Sequence, residues 1–213
     1  LDADNKDFPA YQRSENALTE YFRIMHIAQY RTTVSAKELV DFSLEDLEEL
    51  AVQKASLLFK YCTATPAYFS NKFIEELESF GYWTGVARQY RSDVRDFLEV
   101  STDNYKKGVR MEDYFTHQPN LILVLTGKSD KLSDEERKWF YDNWSNTVSE
   151  KDKAIVTSKV VELITKTNAI KKGRNELEKI NDKLQSYIKN LPNEEVKQNM
   201  SKWALTSCLM DIK

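Results

Sequence analysis

A row of apolar residues at seven-residue intervals constrains this chain more than any other feature: Val156, Leu163, Ile170, Leu177, Leu184 and Leu191. That spacing, kept over five steps, is what one face of a supercoiled helix needs. A companion row of Val160, Ile180, Tyr187 and Ile188 supports it but fails around Lys171-Lys172-Gly173. The pattern predicts one long helix over residues 149–190, started by Ser149-Glu150-Lys151-Asp152 and stopped by Pro192, continuous or slightly bent at Gly173, the alternative being two helices parted at that glycine. A helix of about 40 residues would span roughly 60 Å at ~1.5 Å per residue. That exceeds the width expected of a domain this size, so the bundle is elongated or the helix leaves it to meet a partner.

The rest of the sequence agrees with a helical chain. Only five Gly and four Pro occur in 213 residues, too few to turn a β-sandwich every eight to twelve positions or so. Residues 1–13 lack periodicity and read as a poorly ordered lead-in. Ser14 then reads as the cap of a first helix carrying Leu18, Tyr21, Phe22, Met25 and Ala28 on one face. Ser35, or Ser43 with Asp46 three positions on, starts a second, and Thr65-Pro66 a third that runs nearly 30 residues through Phe80, Tyr90 and Phe97. Gly81 and Gly85, one turn apart in it, permit close helix approach or mark a kink. Leu121 to Leu125 is a short uninterrupted apolar run. No second strand exists to pair with it, so it reads as a buried helical segment. Ser133 with Glu136 is a capping box for a helix bearing Trp139, Phe140 and Trp144. The expected fold is an all-α, elongated bundle of six to seven helices forming one domain over 1–213.

Charge and composition narrow the function. A net charge of −3 argues against nucleic acid, which selects a basic stripe. No apolar stretch reaches the ~18 residues of a membrane span. The chain therefore reads as soluble, either cytoplasmic or the mature or ectodomain part of an exported protein. Cys62 and Cys208 fit no metal spacing and are read as small buried hydrophobes, or as a disulfide pair if the protein is exported.

Chemistry-bearing motifs are scarce. Gly127-Lys128-Ser129 lacks the first glycine of a phosphate loop, its place being held by Ile122. Only two histidines occur. His26 has no acidic neighbour one turn away, while Asp113 and His117 would share a face if that segment is helical, giving two metal ligands without a third. No catalytic, cofactor or metal residue is assigned, and an enzyme is not expected. Nothing in the residues identifies a family. The expected function is a non-enzymatic protein-interaction module of adaptor, inhibitor, immunity or receptor type, with Tyr82, Trp83, Trp139, Tyr141 and Tyr187 as partner-binding aromatics. It would recognise a protein and could form oligomers through the long helix. The alternative is a helical sensor domain holding a small ligand between helices near Trp83 and Tyr90.

Overall fold

Asn168 divides the seven-residue row. Its backbone adopts the left-handed conformation (φ 55°) and closes a helix, its N–H donating to the Ile164 and Thr165 carbonyls that the C-terminus leaves open. The row is thus carried by two helices, Lys153–Thr167 and Ala169–Lys189, with the break five residues before Gly173. Gly173 itself lies inside the second helix, where a Cβ would stand 2.9 Å from Ile122 Cδ1 and 3.0 Å from Val94 Cγ2. Sequence pattern missed the break because asparagine tolerates the left-handed region that glycine usually occupies. Substituting Gly173→Ala is expected to be nearly neutral. About 1 kcal/mol of helix propensity is gained, against a contact with two methyl groups that can give way. Urea unfolding of the variant measures the difference.

The computed structural model describes residues 8–30, 36–101, 111–145, 148–149 and 151–208. Among them every regular element is helical, as expected of an all-α chain. In chain order these are α1 (Phe8–Tyr30), α2 (Ala36–Asp41), α3 (Leu44–Ala51), a π-helical turn (Val52–Ser56), α4 (Leu57–Ser70), α5 (Ile74–Ser101), α6 (Glu112–Phe115), α7 (Leu121–Gly127), α8 (Asp134–Ser145), α9 (Lys153–Thr167), α10 (Ala169–Lys189) and α11 (Glu194–Cys208). The helices are more numerous and shorter than expected. α1 begins at Phe8, inside the supposed lead-in, so Ser14 is a buried interior residue rather than a cap; residues 1–7 lie outside the described part. Pro66 does not start a helix but lies inside α4. It removes only the bond to the carbonyl four residues earlier, and α4 continues until Asn71 takes a left-handed turn.

The capping boxes at Ser43 and Ser133 formed as read. Ser43 Oγ accepts from Asp46 N at 3.1 Å, and Ser43 N donates back to the Asp46 carboxylate at 2.7 Å. Ser133 and Glu136 make the same reciprocal pair at 3.2 and 2.8 Å. Asn193 Oδ1 caps α11 by accepting from Glu195 N and Val196 N.

The chain divides into two compact units. The first comprises Leu1–Tyr30, Glu49–Gln89 and Leu177–Lys213. In it the π-helical turn and α4 lie directly on α5. A Cβ on Gly81 would fall 2.5 Å from Lys60 Cα, and one on Gly85 would fall 2.2 Å from Ser56 Cα. Trp203 of α11 stacks at a tilt on Phe59 and Phe80, with centroids 6.1 and 5.6 Å away. Tyr68 donates to Glu78 at 2.6 Å, and Lys60 pairs with the other oxygen of that carboxylate at 3.0 Å.

Burial pushes the Glu78 carboxyl up, but the hydrogen bonds from Tyr68 and Lys60 outweigh it and hold the group below its ordinary 4.5. A depressed folded pKa stabilises the fold above the unfolded value, and that contribution is lost as pH falls through the folded one. Glu78→Gln is therefore expected to destabilise at pH 7 and to make little difference in strong acid. Paired denaturant titrations at the two pH values check this.

The second unit comprises Arg31–Glu48 and Tyr90–Glu176. Its centre is the apolar run, now α7, with Leu121, Ile122, Leu123 and Val124 all but inaccessible. Around it pack α2, α8 and α9. Tyr114, Phe140 and Trp144, each fully buried, form one aromatic cluster in the same unit, and the Tyr114 hydroxyl donates to the Phe140 carbonyl at 2.9 Å. Of the heptad residues, Val156 and Leu163 are buried in this unit, and Leu177, Leu184 and Leu191 in the first. The seam that sequence reading offered to a partner is filled by this chain's own core.

Candidate functional site

On α5, Tyr90, Asp93, Val94 and Phe97 recur at helical spacing and turn inward. Asp93 is a carboxylate only 3% exposed. A charge so deeply placed needs hydrogen bonds to offset its lost hydration. It accepts from the backbone N–H of Leu121 at 2.8 Å, at the start of α7. The preceding residue, Asn120, caps the same helix by accepting from Ile122 N at 2.9 Å. The Asn120 amide also donates to the Asp113 carboxylate at 2.8 Å. Two aspartates from separate segments thus fix the first turn of α7, where N–H groups lack helical partners and the helix dipole is positive.

Negative charge is concentrated beside this turn. The Tyr90 phenol is pushed well above its ordinary range, first by burial and then by Glu48, Asp93, Glu176 and Glu45. It stays protonated, and can donate, at any working pH. Asp96 follows Asp93 by three positions and is half-buried on α5. Sequence reading passed over this group because acidic residues are abundant on every helix. The usable signal was an aspartate at the spacing of Tyr90, Val94 and Phe97, an apolar face.

The sequence-predicted residues lie elsewhere. Tyr82 and Trp83 are half-buried and pack edge-on at 5.2 Å, with Lys183 Nζ 3.6 Å above the Trp83 ring. Trp139 and Tyr187 are half-buried as well. Tyr141 is buried against Phe140, and its hydroxyl would stand 2.3 Å from a Cβ on Gly127. The Asp113–His117 pairing does not form, because α6 ends at Phe115 and His117 turns left-handed (φ 58°). Asp113 bonds Asn120, and His117 meets Trp144 edge-on at 6.0 Å. His26 is exposed, with Nδ1 2.6 Å from the Phe22 carbonyl. The Lys128 and Ser129 N–H groups donate to the Val124 and Thr126 carbonyls, both at 3.1 Å, so that loop presents no cradle of N–H donors to phosphate, and the Gly127 and Ser129 carbonyls accept from Arg137. Cys62 is exposed and Cys208 buried; both are free thiols, and burial pushes Cys208 up to about 12.

No protein-family model and no curated protein sequence matches the chain. Solved structures do. A polyprenyl synthase from Roseobacter denitrificans superposes with a TM-score of 0.76 and 15% identity, covering 92% of this chain and 62% of that one. A decaprenyl diphosphate synthase from Rhodobacter capsulatus gives 0.75 and 13%, covering 92% and 59%. Geranylgeranyl pyrophosphate synthase from Corynebacterium glutamicum, complexed with isoprenyl diphosphate and magnesium, gives 0.70 and 19%, covering 94% and 56%. The fold is that of the prenyl diphosphate synthases, and the chain spans about three fifths of the structures it matches.

This likeness corrects two expectations. The non-enzymatic interaction module, with its sensor-domain alternative, is overturned, because the fold is one whose matched examples are synthases. The expectation that the chain is not an enzyme falls with it. It rested on scarce histidines and missing nucleophile–base pairs.

Magnesium does not fit the described residues by themselves. Among them no three His, Cys, Asp or Glu groups come close enough to hold a metal. Asp93 is already bonded to Leu121 N and nearly inaccessible. Magnesium usually takes one or two carboxylates and completes its shell with water and substrate phosphates, so any such site would need oxygens beyond this set.

Proposed function

We propose that this chain handles isoprenyl diphosphates and carries out, or forms the larger part of an enzyme that carries out, prenyl-chain extension with release of diphosphate. The observation that carries this reading is the superposition of more than nine tenths of the chain on prenyl diphosphate synthases. The electrostatics of the second unit support it. Breaking the carbon–oxygen bond of an isoprenyl diphosphate leaves positive charge on carbon, and fixed negative groups stabilise such a charge where it develops. Glu45, Glu48, Asp93 and Glu176 supply that sign of charge around Tyr90. The low histidine content is consistent with a reaction in which the leaving group departs as diphosphate.

Ligand-linked stability tests the binding half of this reading. A farnesyl-length diphosphate at about a hundred times its Kd should raise stability by roughly 2.7 kcal/mol, read as an increase in Tm. The matching alcohol, which lacks the diphosphate, should give little or no increase. Equal shifts with both, or none with either, would contradict the reading.

A further inference from the structure

We draw no further inference here: the strongest candidate, the exposed apolar patch of Tyr11 and Phe22 on α1 with Leu58 and Phe69 on the adjoining α4, carries none, because nothing in the structure shows what covers it.

Discussion

Gly85→Ala is expected to cost about 3 kcal/mol or more, or to prevent the first unit from folding. The new Cβ would lie 2.2 Å from Ser56 Cα and 2.7 Å from Ser56 N. Those are backbone atoms of the π-helical turn, so relief requires the turn to move off α5. Overpacking that only displaces side chains typically costs about 1–3 kcal/mol, and here no side chain can yield instead. Gly173→Ala is the internal control, because its close contacts are two methyl groups. Equilibrium unfolding of both variants should separate them by well over 2 kcal/mol or so, a gap that helix propensity cannot supply, since both glycines are helical. Similar stabilities would mean that Gly85 does not hold the close approach assigned to it.

Asp93→Ala is expected to destabilise the second unit by about 2–3 kcal/mol. The substitution leaves the buried Leu121 N–H without its acceptor and opens space beside α7. Asp93→Asn should cost less, because an amide oxygen can still accept from Leu121, while the negative charge facing the helix start is gone. Amide hydrogen exchange supplies a local readout. The first-turn amides of α7 should lose protection in the alanine variant and largely keep it in the asparagine variant. If both variants exchange like the wild type, Asp93 is not the residue that anchors this turn.

Helical class, capping boxes and the buried run Leu121 to Leu125 were legible in the sequence because each depends on neighbours within a turn or two. Ser43 with Asp46 and Ser133 with Glu136 are local pairs, and their bonds formed as read. The break at Asn168 was missed because the heptad row continues across it without losing an apolar residue. Pro66 misled for a related reason: α4 tolerates the loss of one interior hydrogen bond. The acidic group around Tyr90 was hidden differently. Glu45 and Glu48 stand more than 40 positions from Tyr90 in sequence, and Glu176 more than 80, so only tertiary structure collects them. Function was the least legible of all, since sequence reading looked for histidine and nucleophile signatures, and the likeness to the matched synthases lies in the arrangement of helices, at 13–19% identity.

The most direct measurement is a turnover assay on the purified chain with a short isoprenyl diphosphate, a labelled five-carbon isoprenyl diphosphate and magnesium. The account predicts labelled prenyl diphosphate of greater length, with inorganic diphosphate released in equal amount. A folded, helical sample that yields neither extended product nor free diphosphate would contradict it.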